Sequence, residues 1–213
     1  ELWWRARLST VLHDDKELFE QVVLKASEHF GIEAGIVEKD YYVTLLLCEI
    51  VKRQPNIIFK GGTSLSKCYK IIKRFSEDID LILDWRIVGY GYSEPWEKRS
   101  NTQQQRFINE SSNRVAAFLK EKFLPVFKAD MADCVGRPVS VYIDDDDPGT
   151  VKFGYPCTFE DASILQEIRL EIGALAAWTP TQLADIHPYA ADYYPGVFHH
   201  ASTQILTTTA ERT

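Results

Sequence analysis

The sequence is short of several things, and each shortage excludes something. Positive charge is the first: 24 Lys and Arg stand against 31 Asp and Glu in 213 residues, a formal net charge of −7. A general electrostatic attraction to nucleic acid is thereby excluded, so any RNA contact must come from a local basic patch working against the overall field. Cysteine is scarce too: Cys48, Cys68, Cys134 and Cys157 lack the paired spacing of a metal site. Cys48 and Cys68 fall within apolar helical patterns and read as buried thiols, which suits a reducing cytoplasm. No apolar run is long enough to span a bilayer and no signal-type segment is found, so no membrane partner is expected. Repeats and low-complexity tracts are also missing. The chain opens on Glu1 rather than methionine and stops abruptly at Glu211-Arg212-Thr213, as a fragment would. What remains, 45% hydrophobic and 26% charged residues, suits one or two compact domains with a real core.

The most informative stretch is Ile57-Ile58-Phe59-Lys60-Gly61-Gly62-Thr63-Ser64-Leu65-Ser66-Lys67, followed by Phe75-Ser76-Glu77-Asp78-Ile79-Asp80-Leu81-Ile82-Leu83. It reads as strand, glycine turn, short helix (from about Ser64 to Lys73) and second strand. Gly61 and Gly62 allow backbone angles that other residues avoid and a close ligand approach to the main chain. Thr63 and Ser64 stand where a helix begins, so their hydroxyls and the unpaired amides there suit phosphate. Asp78 and Asp80, two apart on a strand, leave the same face roughly 6–7 Å apart at the backbone, while Ile79, Leu81 and Leu83 point to the core. A phosphate cradle beside aligned carboxylates is apparatus for holding a magnesium–nucleotide complex. Lys67, one turn further, either neutralises triphosphate charge or is solvated.

Gly-Gly-Thr-Ser followed by Asp-x-Asp resembles the signature of the polymerase-β-like nucleotidyltransferase superfamily. The fuller wording, Lys60 to Lys67 and then Arg74-Phe75-Ser76-Glu77-Asp78-Ile79-Asp80-Leu81, is similar to the nucleotidyltransferase toxins of abortive-infection systems (the AbiEii/AbiGii type), the toxic half of type IV toxin–antitoxin pairs. The resemblance implies an α/β (α+β) fold: a mixed β-sheet flanked by helices, with helices in residues 1–55 packed on a catalytic domain of residues 56–213. It also implies a third carboxylate on a later strand in an apolar-acid-apolar setting. Leu170-Glu171-Ile172 matches that setting, although the family usually has Asp there, and a charged strand face is the alternative. Arg169, on the same face as Glu171, either binds a phosphate or pairs with a neighbouring glutamate. Family members continue past a Glu-Arg-Thr segment into a helical region that contributes to activity, and Glu211-Arg212-Thr213 resembles its threshold.

The other segments follow from hydrophobic pattern and turn chemistry. A helix is expected from about Leu8 to Phe30, capped by Asp14 or Asp15 and ended by Gly31, with Trp3 and Trp4 docked on it or in contact with missing sequence. A second runs from about Ala34 to Lys52 on an apolar face of Val37, Tyr41, Leu45, Cys48 and Val51. Its Glu38-Lys39-Asp40-Tyr41 string, which also resembles the family, is a solvated face with an aromatic anchor, or else Lys39 or Tyr42 borders the nucleotide pocket. The aromatic loop from Asp84 to Ser100 walls the site, stacks a base or simply packs. A helix from about Thr102 to Phe123 follows, then two strands, Pro138 to Ile143 and Thr150 to Tyr155, around an Asp144-Asp145-Asp146-Asp147-Pro148-Gly149 tip. That tip reads as solvated turn chemistry in preference to a metal site. A strand at Leu165 to Gly173 and a last strand at Thr203 to Thr208 close the chain, and the His199-His200 pair reads as a surface pair.

These readings imply transfer of a nucleotide from an NTP to an RNA acceptor, tRNA being the class the resemblance favours. Asp78, Asp80 and Glu171 would be catalytic and hold Mg²⁺ (or Mn²⁺), while Gly61, Gly62, Thr63, Ser64 and Lys67 bind the triphosphate. A neighbouring antitoxin is expected, with no need of direct contact. Transfer to a small molecule or protein hydroxyl, and a non-catalytic nucleotide-binding module, stay open.

Overall fold

The computed structural model describes residues 11–72, 78–160, 164–175, 179–194, 196–211 and 213. Trp3, Trp4, the Arg74 to Glu77 part of the motif and Arg212 therefore lie outside the described residues, as does the side chain of His199. After a 3₁₀ turn at Leu12–Asp14, helix α1 spans Lys16–Phe30. Asp15 caps it by accepting from the Leu18 amide at 3.1 Å, and Gly31 ends it at φ +64° in the left-handed region. The helix thus starts later than the apolar pattern suggests, because the stretch before it turns in 3₁₀ fashion.

Helix α2, Ala34–Arg53, is buried on nearly every side before its last turn, including the charged Glu38, Lys39 and Asp40. The solvated face expected of Glu38-Lys39-Asp40 is not what forms. Each of the three side chains pins a distant segment. The Glu38 carboxylate accepts from the amides of Thr158 (2.9 Å) and Phe159 (3.0 Å), and its burial pushes its proton affinity up, partly offset by those amides. Lys39 Nζ donates to the Leu165 carbonyl at 2.7 Å. Asp40 pairs with Lys67 and accepts from the Tyr189 amide at 2.7 Å. Buried charges persist only when paired and hydrogen-bonded, and these are.

Strand β1 (Ile58–Lys60) leads straight into α3 (Gly61–Lys67), and β2 follows at Asp78–Ile82. Helix α4 (Asn101–Phe118) opens on a capping box between Ser100 and Gln103. It passes through a π-turn at Leu119–Phe123 into α5, Leu124–Val135, so the expected single helix is longer and jointed. Pro125 does not stop it, because a proline is tolerated in a first turn, and Phe127, Met131 and Val135 continue the buried stripe. Strands β3 (Ser140–Ile143), β4 (Thr150–Gly154), β5 (Ile168–Gly173), β6 (Thr181–Ile186) and β7 (Thr203–Thr208) complete a seven-stranded sheet of order β3-β4-β5-β2-β1-β7-β6. The sheet is mixed: β2–β5 and β1–β7 are parallel, the other pairs antiparallel. This is the expected α/β architecture. Strand β6 has no counterpart in the sequence reading, since it is an outer strand with a weak burial pattern and an exposed Leu183. One hydrophobic core joins Tyr41, Leu45 and Ile50 of α2 to Phe59, Ile79, Leu81, Ile168, Leu170 and Phe153 of the sheet.

The Asp40–Lys67 pair ties α2 to α3, so Lys67→Met should cost about 3–5 kcal/mol by leaving a buried carboxylate unpaired. Asp40→Asn combined with Lys67→Met should recover much of that loss, since asparagine still accepts from Tyr189. Urea unfolding checks both, and a wild-type midpoint for Lys67→Met would contradict the role.

Candidate active site

Pairing in the centre of the sheet builds the site. Asp80 on β2 stands directly opposite Lys60 of β1 on one side and Glu171 of β5 on the other. Thr150 of β4 lies opposite Glu171, and Asp78, two residues from Asp80, lies opposite Arg169. Cross-strand partners share a face, as do alternate residues on one strand, so Lys60, Asp78, Asp80, Arg169 and Glu171 form one polar patch. The core takes the intervening Ile79, Leu81, Ile168 and Leu170. The carboxylates keep contact with solvent, with side-chain exposures of 47% for Asp78, 29% for Asp80 and 43% for Glu171.

Gly61 is required here by geometry. Its φ is +78°, and a β-carbon on it would lie 2.7 Å from the Asp80 carboxyl carbon and nearer still to Oδ2. The glycine turn and the carboxylate strand therefore touch through a space that only hydrogen fills. Thr63 and Ser64, just inside α3, are buried. The Thr63 hydroxyl donates to the Asp78 carbonyl and the Ser64 hydroxyl to the Gly61 carbonyl at 2.9 Å. In this structure both hydroxyls brace the turn instead of presenting themselves to a phosphate. Lys67 is a further departure from expectation. Neither solvated nor facing the carboxylates, its ammonium is buried against Asp40, 5.0 Å above the centre of the Tyr189 ring and 3.4 Å from the His187 carbonyl. Likewise Lys39 is held at Leu165 and does not border the carboxylates, and Tyr42 stacks on Tyr155 in the core.

Charge in the patch is unbalanced. Burial, then the fields of Asp78 and Asp80, push the Glu171 carboxyl above the usual range, with Arg169 opposing and Asp147 adding to the rise. A raised carboxyl favours the protonated form, so Glu171 contributes stability below the ordinary glutamate range and loses it as pH rises through its folded value. The cations stand off: Lys60 Nζ is 3.8 Å from Asp80, and Arg169 is 4.0 Å from Asp78 and 3.8 Å from Glu171. Among the described residues no group of three or more His, Cys, Asp or Glu side chains is arranged to hold a metal ion. The donors nevertheless fit a hard divalent cation in kind: three solvent-touching carboxylates on one face of adjacent strands, one of them already short of positive charge.

Beside Lys60, Asp80 and Glu171 opens a cleft of about 440 Å³, closed by α4 (Ile108, Ser112, Asn113) and by Asp147-Pro148-Gly149. The acidic tip is turn chemistry, as expected: Asp147 accepts from the Gly149 amide at 3.1 Å and the Thr150 hydroxyl at 2.6 Å, while Asp144 pairs with Lys152 at 2.8 Å. That this turn overhangs the carboxylates was not foreseeable from its composition. The Asp84 to Ser100 loop packs and does not line the cleft; Trp85 Nε1 donates to the Gly91 carbonyl at 3.1 Å and Tyr90 meets Phe107. His200 is no surface residue either, since it shares a partly buried network with Tyr41 (2.9 Å) and, through it, His13.

Gly61→Ala should cost about 1–2 kcal/mol from the left-handed backbone alone. The displaced Asp80 carboxylate adds to that, so in an Asp80→Ala background the same substitution should cost less, with a coupling of about 0.5 kcal/mol or more. A double-mutant cycle by urea unfolding measures it, and strict additivity would deny the contact.

Comparison with known proteins bears on the same stretch. No curated protein and no solved structure compared with the chain matches it. The family profile described as nucleotidyl transferase AbiEii toxin, type IV TA system, matches residues 45–213, a span that starts within α2 and takes in the glycine turn, both aspartates and Glu171. The chain belongs to the AbiEii nucleotidyl transferase toxin family of type IV toxin–antitoxin systems.

Proposed function

We propose that the chain transfers a nucleotide from a nucleoside triphosphate to a hydroxyl of an RNA acceptor, with tRNA the expected class, in a Mg²⁺-dependent reaction. The observation that carries this reading is the register that sets Asp80 opposite Glu171, with Asp78 on the same face and the Gly61 turn in contact with Asp80. In the reaction the acceptor oxygen bonds to the α-phosphorus, the bond to the bridging oxygen breaks, and pyrophosphate departs with that electron pair. Asp78, Asp80 and Glu171 would hold Mg²⁺, or Mn²⁺ in its place. Bound there, the ion would supply Lewis-acid stabilisation of the phosphoryl oxygens.

The chain's own groups would do the rest. Gly61 and Gly62 would bring the main-chain turn up to the triphosphate beside Asp80, Gly61 by letting the Asp80 carboxylate lie against the turn. Lys60 supplies positive charge at the mouth of the cleft. Glu171, directly across the sheet from Asp80, would complete the cation's ligand set and take part in removing the proton from the attacking hydroxyl. Helix α4 and the Asp147–Gly149 turn give the cleft a wall against which the nucleoside or the acceptor end would rest. A cytoplasmic setting and an antitoxin encoded nearby belong to the same reading, without direct contact between the two proteins being needed. The net charge of −7 favours a second reading, in which the acceptor is a small molecule or a protein hydroxyl instead of a polyanion.

Incubation with each α-³²P-labelled NTP, Mg²⁺ and total bacterial RNA tests the proposal, with protein and small-molecule fractions counted separately. Label is expected in RNA, reduced at least about 100-fold in Asp80→Asn. Equal labelling by that variant would remove the assigned site, and label confined to another fraction would select the second reading.

A further inference from the structure

The residues paired one step along the sheet from Asp80 and Glu171 are Asp78, Arg169 and Lys152. Lys152 has acids of its own, 2.8 Å from Asp144 and 3.7 Å from Glu167. Arg169 is placed differently. Its Nε lies 4.0 Å from Asp78 and a terminal nitrogen 3.8 Å from Glu171, both beyond hydrogen-bond reach. The Nε is moreover buried without a hydrogen-bond partner. A buried donor left unmade is unfavourable, and here it stays unmade with the Asp78 carboxylate only 4.0 Å away.

Other arginines in the chain show what a purely structural ion pair looks like here. Arg53 closes on Asp130 through two bonds of 2.7 and 2.6 Å, and Arg86 grips Asp84 in the same forked manner. Arg169 closes on neither neighbour. Its planar fork suits the bidentate pairing that a carboxylate or a phosphate offers. It shares a face with all three acids of the proposed catalytic site, two residues from Glu171 and opposite Asp78.

We infer that Arg169 is a phosphate-binding residue of the nucleotide site, its guanidinium held between Asp78 and Glu171 until a triphosphate arrives to receive it. The inference rests on the nucleotidyl-transfer reading and adds a residue to it. Before substrate binds, Arg169 would moderate the repulsion among the acids. With substrate bound, those acids would be taken up by the divalent cation, and the released fork would pair with phosphate oxygens. As the bond between the α-phosphorus and the bridging oxygen breaks, the added negative charge on the departing pyrophosphate would lie within this cation's field.

Inorganic tripolyphosphate is the direct probe, because it carries no base. Calorimetric titration in the presence of Mg²⁺ would compare the wild type, Arg169→Gln and Arg169→Lys, each also unfolded in urea. Arg169→Gln is predicted to bind about tenfold or more weakly, the loss of one charge-assisted pair. Arg169→Lys should regain only part, since it restores a point charge without the fork. If Arg169→Gln binds as tightly as wild type and only its unfolding midpoint falls, Arg169 is a strut and the inference fails while nucleotidyl transfer stands. If the wild-type protein binds no tripolyphosphate, the inference and the reading beneath it fall together. Should Arg169→Gln not fold, Arg169→Lys decides: wild-type affinity in that variant overturns the inference.

Discussion

Asp80 sits on a strand clamped from both sides, opposite Lys60 where β1 ends and opposite Glu171 where β5 passes. Almost everything chemical in this molecule depends on that register. A slip of one residue would turn Asp78 and Asp80 into the core and carry Ile79 and Leu81 to the solvent face. The buried Ile79 and Leu81 oppose such a slip, and so does Gly61, whose missing side chain leaves the space the Asp80 carboxylate fills. The packing that stabilises the sheet is thus the same packing that gathers three acids on one face.

The site is supported from behind by charges that never reach it. Glu38, Lys39 and Asp40, consecutive on α2, fasten the Thr158–Phe159 segment, the Leu165 carbonyl and the Lys67–Tyr189 corner in turn. One helix therefore fixes the chain on its way into β5 and also anchors the short helix α3, which begins at the glycines. Such buried charges contribute little net stability compared with apolar residues, but removing one partner leaves the other stranded. Their value lies in placing segments that local propensity leaves undefined, which a seven-residue helix such as α3 needs.

Different parts of the chain are legible from sequence to different degrees. The carboxylate strand was readable because period-two alternation states which residues share a face, and that property is local, whereas Glu171 stood out from other strand-face acids only through the family resemblance. The glycine turn was readable because few residues tolerate such a backbone. Lys67, Lys39 and His200 were not, since the fate of a polar side chain on a helix or loop is decided by partners up to 159 residues away. Helix α5 hid behind Pro125, a residue that reads as a stop although a first turn admits it. The overhang of the Asp147–Gly149 turn on the cleft follows from β4 pairing with β5, and no property of the turn's own residues encodes it.

The central claim is that the β2–β5 register makes a cation-binding corner from Asp80, Glu171 and Asp78. Anomalous scattering from crystals soaked in Mn²⁺ tests it most directly. The account predicts a peak between the Asp80 and Glu171 carboxylates on the face shared with Asp78, lost in Asp80→Asn. A clear Mn²⁺ peak elsewhere on the molecule, with none at this corner, would contradict it.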